Sequence, residues 1–438
     1  MSALHPGLSP VGAPAPASAR PGVSLTRRTL IAGALWIVVF LGGFVLQEPA
    51  PYELAMVVVL ATWLLSGPRF PIAIAPLIAL IALFIAGGLL ATLMSDDFSE
   101  AVFYIAITAF LAVTAIFYAA VIASDPSLLT TVSHAYTISA LIVGVIGIAG
   151  YFGLLPGELF TLYGRAKGTF EDPNVFGPFL VLPWALALQA VLTRPLRNCV
   201  WAMAVLGVLS FAILLSFSRA AWGLTAFAGL GIYTVTFVCT RCGRARARLL
   251  GFGALGLLAL MGLIVVALSV DAISGMLLER AKLVQDYDTA RLGRFARYSL
   301  GFQMVLERPL GLGPLQFRNF FPEDEHNTYL KAFTTYGWLG GVAYLTLVGM
   351  TLVSLFPLMF QSRPWQGVAQ CVFAVLVGHM ILSVIIDTDR WRHVYLLYGL
   401  AWGLIAAEQA WRRRTRQKRR ENPRETAFRP LAPGSRSG

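Results

Sequence analysis

The chain is poor in charge. Only 13% of its 438 residues are Asp, Glu, Lys or Arg, where a soluble domain carries about a quarter. Cysteine is scarce too: Cys199, Cys239, Cys242 and Cys371 are too few and too scattered for a disulfide framework. Acidic residues number 22 against 34 basic, leaving a net charge of +12. These shortages exclude an ordinary cytosolic enzyme, a disordered chain and a disulfide-stapled module. What fills the space is apolar: 57% of residues are hydrophobic and the mean hydropathy is +0.71. At ~20 residues per crossing, the composition describes an all-α polytopic membrane protein with about a dozen transmembrane helices.

Apolar runs between polar or Pro/Gly breaks place spans near 29–46, 53–67, 71–94, 101–123, 132–153, 174–192, 199–217, 220–239, 249–270, 336–359, 366–386 and 393–410. The second is short and interrupted, so eleven is the alternative count. The expected organisation is a disordered cytoplasmic tail over 1–28, nine spans over 29–270, a loop subdomain over 271–335, three spans over 336–410 and a basic tail over 411–438. With the N-terminus cytoplasmic, Arg27, Arg28, Arg69, Arg194, Arg197, the arginines of 241–248, Arg363 and the whole tail lie inside, while the outer segments 47–53 and 95–100 carry acid and no Lys or Arg. The positive-inside rule then puts both termini in the cytoplasm. The run RRRTRQKRR at 412–420 reads as a stop-transfer anchor touching anionic lipid headgroups. No aromatics interleave it, so nucleic acid is not an expected partner.

The remaining basic residues fall outside, against the rule, in two main places. One is 154–172, with Arg165 and Lys167; the other is 271–335, where Lys and Arg equal Asp and Glu in number. Within the second, Arg291, Arg294 and Arg297 stand close together with no acid between them. A helix there would align Arg291, Phe295, Tyr298 and Phe302 on one face as an interfacial helix, with guanidinium groups offered to an anionic headgroup or phosphate. Arg219 sits in Ser216-Phe217-Ser218-Arg219, the only polar break between two spans, where a cation needs a partner or a watery cavity. His326, in Asp324-Glu325-His326-Asn327-Thr328-Tyr329, falls near the start of the helix expected to begin the next crossing. The exposed N–H groups there would keep its imidazole neutral and able to accept a proton. A capping or purely structural histidine fits the same spacing.

Three ordered segments carry a resemblance: Gly164-Arg165-Ala166-Lys167-Gly168-Thr169-Phe170-Glu171-Asp172-Pro173-Asn174, then Ser218-Arg219, then His326-Asn327-Thr328-Tyr329 with Gly337-Trp338-Leu339-Gly340. Together they resemble the O-antigen ligase and O-antigen polymerase superfamily, over the chain from about Gly164 onward. The resemblance implies a GT-C-like fold of about twelve spans with a large periplasmic loop between the ninth and tenth. It also implies an inverting glycosyltransferase of a bacterial inner membrane, working at the periplasmic face without metal or other cofactor. The implied donor is an O-antigen glycan on undecaprenyl pyrophosphate, and the implied acceptor is lipid A–core; the alternatives within the class are an O-antigen polymerase, with a second lipid-linked glycan as acceptor, and a protein O-oligosaccharyltransferase, with Ser or Thr as acceptor. His326 takes the place of the histidine that activates the acceptor hydroxyl, and Arg219 and Arg291 those of the arginines on the donor pyrophosphate. Arg294 could equally fill the second arginine position. Arg165 and Lys167 would shape the donor site; Arg297, Asn327, Tyr329 and Asp389 complete the expected binding residues.

Other signals are weaker. Cys239-Thr240-Arg241-Cys242 has no second ligand pair for zinc. Neighbouring side chains in Glu323–His326 would diverge rather than converge on a cation. Asp387 and Asp389 beside Arg390 read first as structural ion pairs, and His379 as a packed residue within a span. A transporter would place ionisable groups near the bilayer midplane, whereas here they gather at the outer span ends.

Overall fold

A computed structural model describes residues 22–281 and 294–421. Among these the chain is almost entirely helical; the only strands are β1 (Thr161–Leu162) and β2 (Arg165–Ala166), an antiparallel pair. The helices before the pair are α1 (Gly22–Leu41), α2 (Pro51–Leu65), α3 (Ala75–Ala91), α4 (Phe98–Ser124), α5 (Leu128–Tyr151) and the single turn α6 (Gly157–Phe160). After it come α7 (Pro173–Phe179), α8 (Val181–Thr193), α9 (Val200–Leu215), α10 (Arg219–Cys239), α11 (Gly243–Ser269) and α12 (Asp271–Ala281). The last group is α13 (Arg294–Leu306), α14 (Thr328–Thr334), α15 (Gly337–Leu355), α16 (Gln366–Leu382) and α17 (Arg392–Glu421).

Among the described residues seven stretches are long and apolar enough to cross a membrane: Ile72–Met94, Phe98–Ser124, Leu128–Tyr151, Pro173–Thr193, Arg219–Cys239, Gly243–Ser269 and Gly337–Phe360. Pro51–Leu65, Val200–Leu215 and Gln366–Leu382 are apolar but shorter. The backbone needs no partner from lipid in any of them, because each helix closes its own hydrogen bonds. The span expected at 174–192 is broken at Leu180 into α7 and α8, where Pro178 and Pro183 remove two ladder donors.

Small residues let the central helices approach closely, the usual device where lipid supplies no hydrophobic drive between helices. α17 packs along α4, and a Cβ at Gly399 would lie 2.4 Å from the Tyr118 Cβ. α15 packs along α3, and a Cβ at Gly87 would lie 2.5 Å from the Gly340 nitrogen. In contrast, α11 is almost wholly exposed along its apolar length, a surface suited to acyl chains.

Two helix ends differ from the expected bounds. Helix α1 begins at Gly22, so part of the segment expected to be a disordered tail is helical. Helix α17 does not stop near 410 but continues through the basic run to Glu421. Glu408, buried within it, holds Arg363 at 2.9 Å and Arg412 at 2.8 Å, which satisfies a carboxylate that would otherwise be costly at a membrane boundary. The loop of 271–335 also contains several short helices, and four of its residues, Leu312, Phe317, Phe321 and Leu330, make a small core of their own.

Candidate active site

Two polar clusters form from sequence-distant pieces. The first is built on the β1–β2 hairpin, whose turn has Tyr163 and Gly164 at φ 52° and 70°. That turn directs Arg165 inward, where it is buried. Its Nε donates to the Ser216 carbonyl at 2.9 Å and its Nη2 to the Asn174 side-chain oxygen at 2.8 Å. Asn174 is positioned because Asp172 caps α7, accepting from the Asn174 backbone N–H at 2.7 Å. Ser216 and Phe217 form the tight link between α9 and α10, with Phe217 in the left-handed region at φ 45°. Ser218 caps α10, and Arg219 is its first residue, half-buried. The segment 164–174 and the pair Ser218–Arg219 are thus brought to one place, with Lys167 half-buried on the same loop.

The second cluster surrounds His326. The segment before it is held by α13: buried Arg297 donates from Nη2 to Glu323 at 2.7 Å and from Nη1 to the Asp324 carbonyl at 3.1 Å, and the Tyr298 hydroxyl donates to the His326 carbonyl at 2.8 Å. These contacts fix His326 at φ 48°, a left-handed conformation that costs a non-glycine residue ~1 kcal/mol or more. Asn327 then caps α14, accepting from the Leu330 N–H at 3.0 Å. The helix His326 precedes is therefore a separate seven-residue helix and not the crossing itself. Gly337, at φ 65°, makes the break before α15, where a Cβ would sit 2.9 Å from the Leu310 carbonyl carbon.

The Arg-rich segment differs in part from its expected form. Arg291 lies outside the described residues, and Arg294 is the first residue of α13. Tyr298 and Arg297 turn toward the His326 segment instead of lipid or solvent, because the loop offers them a carbonyl and a carboxylate; Phe302 is exposed. Arg297 is thus engaged with protein acceptors.

Helix α14 carries the site onward to the loop between α16 and α17. Thr328 donates to the Ile386 carbonyl at 3.0 Å and accepts from the Thr388 N–H at 2.8 Å. Tyr329 donates to the Met380 carbonyl at 2.8 Å. Lys331, one turn along and nearly buried, faces Asp387 at 3.3 Å and Asp389 at 3.8 Å. Asp389 also accepts from the Tyr104 hydroxyl at 3.0 Å, and the Arg390 guanidinium lies over the Tyr104 ring at 4.5 Å.

Electrostatics here are finely balanced. Burial pushes the Glu325 carboxyl up to about 7; Lys331 opposes this and Asp387 adds to it, while the Thr334 hydroxyl donates to it at 2.6 Å. Burial likewise raises Asp387, against the pull of Lys331. Burial would lower Lys331, but Asp389, Asp387 and Glu325 together hold it well above its ordinary value. Burial would raise Asp324, yet its bonds from Arg318 hold it below the usual carboxylate range. Asp324 and Asp387 both lie within electrostatic reach of the His326 imidazole, and Glu323 is 3.9 Å from its Nε2.

The side chains of Glu323, Asp324 and Glu325 go to three different partners, Arg297, Arg318 and Thr334. Among the described residues no group of three or more His, Cys, Asp or Glu is placed to hold a metal. The sequence reading did not single out Tyr104, Arg318 or Lys331, and weighed Glu325 only as a metal ligand. Only Lys331 had a signal available, a cation three residues past Thr328 in an otherwise apolar helix.

Residues 202–345 match the family model for O-antigen ligase. The matched stretch runs from α9 through Ser218–Arg219 and the His326 segment into α15; Arg165 and the Asp387–Arg390 loop lie outside it. No curated protein matches the chain. Over that stretch the chain is similar to the O-antigen ligase family.

Proposed function

We propose that this protein is an O-antigen ligase, an inverting glycosyltransferase of GT-C type that moves O-antigen from undecaprenyl pyrophosphate to lipid A–core. In this reading twelve helices span a bacterial inner membrane, both termini are cytoplasmic and both polar clusters open to the periplasm. The observation that carries it is the His326 segment, held in a left-handed turn by α13 and α14 beside a polar cleft, within the stretch that matches the ligase family.

The chemistry follows from the residue types. A pyrophosphate leaving group accumulates negative charge as the glycosidic bond breaks, so it needs fixed donors more than a proton. Arg165 and Arg219, with Arg291 or Arg294 from the loop, would supply them, and Lys167 would add positive charge at the mouth. An acceptor hydroxyl is a poor nucleophile until a base removes its proton as it attacks the anomeric carbon; His326 takes that role. One displacement inverts the anomeric centre, and no step calls for a covalent glycosyl-enzyme. Asn327 and Tyr329 shape α14 beneath the base, and Asp389 orders the cleft through Lys331 and Tyr104.

The test is a reconstitution of purified protein with lipid-linked O-antigen and lipid A–core in EDTA, run beside His326→Ala and Arg219→Ala. Glycosylated lipid A–core should form, with a loss on the order of 10²–10⁴-fold in His326→Ala. Transfer only between lipid-linked glycans would identify a polymerase and overturn the ligase assignment. Absence of transfer with any acceptor, from folded protein, would remove the enzyme reading.

A further inference from the structure

Between Asp172 and Asp271 the chain has no acidic residue and seven arginines. One is Arg219, at the start of α10. The other six stand at the far ends of α8 and α10: Arg194 and Arg197 in the link to α9, and Arg241, Arg244, Arg246 and Arg248 where α10 gives way to α11. The 21 residues of α10 rise about 30 Å, the thickness of a hydrocarbon core, so this group meets the membrane boundary opposite Arg219.

The two links touch. Arg248 donates from Nη2 to the Leu192 carbonyl at 2.9 Å and from Nη1 to the Arg194 carbonyl at 3.4 Å, which docks the start of α11 on the end of α8. Its Nε is buried and has no acceptor among the described residues. Arg194, Arg197, Arg241, Arg244 and Arg246 are exposed. Cations at other helix ends meet carboxylates, Arg28 at Asp125 and both Arg363 and Arg412 at Glu408. Among the described residues none of these six arginines is in an ion pair, and like charges gathered this way repel. Helix α11 adds to the excess, because its first turn has no acid and no side-chain cap, leaving its N–H groups and dipole to point positive charge at the same place.

An anion would relieve this field, and the surroundings say of which kind. Leu196, Val200, Trp201 and Leu250 flank the arginines and are each more than half exposed. Beyond them the apolar length of α11 is almost wholly exposed. A water-borne anion has no use for that apolar collar, whereas a lipid covers it with acyl chains while its headgroup meets the guanidinium groups. Helix α11 is tied to the bundle near its start, by Arg248 and by the Tyr233 hydroxyl, which donates to the Leu249 carbonyl at 3.1 Å.

We propose that the α8–α9 and α10–α11 links form a binding site for an anionic phospholipid, whose phosphate bridges the two sets of arginines and holds the start of α11 against α8. The lipid belongs to the leaflet opposite Arg219, the cytoplasmic one in the orientation proposed above. This site is separate from the transfer chemistry, and its test needs no donor or acceptor glycan.

Full-length protein in detergent is melted with added phosphatidylglycerol, phosphatidylcholine or inorganic phosphate, and lipid retention is read by native mass spectrometry. Phosphatidylglycerol should raise the melting temperature, by an amount that shrinks as salt is raised, while the other two leave it unchanged. Arg194→Gln/Arg197→Gln and Arg244→Gln/Arg246→Gln should each weaken phosphatidylglycerol binding by roughly tenfold or more. Arg413→Gln/Arg414→Gln, in the basic run of α17, should retain it. Amide exchange over 241–250 should slow when phosphatidylglycerol binds. Equal stabilisation by phosphatidylcholine would overturn the proposal, and so would a shift reproduced by inorganic phosphate, which would mark a free-anion site. An undiminished response in both link variants, loss in the α17 variant alone, or unchanged exchange over 241–250 would also overturn it. Should a paired variant fail to fold, Arg197→Gln alone, at an exposed side chain, replaces it, and the lipid and salt series on the unaltered protein stand independently.

Discussion

The two polar clusters hold their cations through different acceptors. At the hairpin, Arg165 donates to a backbone carbonyl and to a side-chain amide oxygen, bonds that aim its guanidinium. Around His326, Arg297, Arg318 and Lys331 each meet a carboxylate. In the proposed reading the first cluster offers fixed guanidinium groups to the donor pyrophosphate. In the second, cations and carboxylates hold one another in a fixed network.

The sharpest way to break this contrast is at Arg165. Arg165→Ala should reduce transfer by on the order of 10²–10³-fold in the reconstituted assay, because the donor phosphates lose a preorganised cation. Arg165→Lys keeps the charge but loses the fork that reaches Ser216 and Asn174 together, so it should restore only part of the rate. Equal rates for wild type and Arg165→Ala would end the donor-side reading.

Lys331 tests the other cluster through stability. Lys331→Met leaves Asp387 and Asp389 facing each other without their shared cation, and should cost about 3–5 kcal/mol, seen as a lower melting temperature in detergent. Adding Asp387→Asn to that variant should recover part of the loss, since one uncompensated carboxylate is then removed.

Glu325 makes the same cluster pH-sensitive. Its carboxyl is raised from 4.5 to about 7 in the folded protein, so the proton is held more tightly there than in the unfolded chain. The resulting stabilisation is complete below about pH 4.5 and is lost as pH rises through about 7. Its melting temperature should therefore gain a downward slope toward higher pH, and Glu325→Gln should flatten that slope. Lys331 and Asp387 also face Glu325 and shape the profile, so the comparison is with the variant and not with a calculated curve.

The smallest effect is expected for the exposed pair of the same cluster. Arg318→Ala should change stability by less than about 1 kcal/mol, because its guanidinium is 62% exposed and screened. A loss as large as that of Lys331→Met would show that the pair holds the loop together, in addition to lining the cleft.

Much of the architecture was readable from the chain. Apolar runs placed the helices to within a few residues, as at 199–217 against Val200–Leu215 and 220–239 against Arg219–Cys239. Helix ends were misjudged where the signal was charge. Continuing α17 past Trp411 costs nothing once the arginines reach water, and Glu408 binds Arg412 from one turn earlier. The periodicity of 291–302 indicated a helix and an aromatic face, but not what that face meets. The Tyr298 hydroxyl finds the His326 carbonyl 28 residues away, a partner that no local pattern encodes.

Sequence alone determined that this is a helical membrane protein, because hydropathy is a property of each segment and every membrane helix satisfies its own backbone. It also singled out Arg165, Arg219 and His326, whose residue types carry chemistry wherever they stand. Tertiary structure decided which of the charges would cancel. Tyr104 meets Asp389 across 285 residues of chain, and Lys331 meets Asp387 across 56. Both pairings follow from how α4, α14 and the loop before α17 pack together. Whether a cation is spent on a carboxylate or kept for a phosphate depends on the field of its neighbours, and that field exists only once the helices have packed.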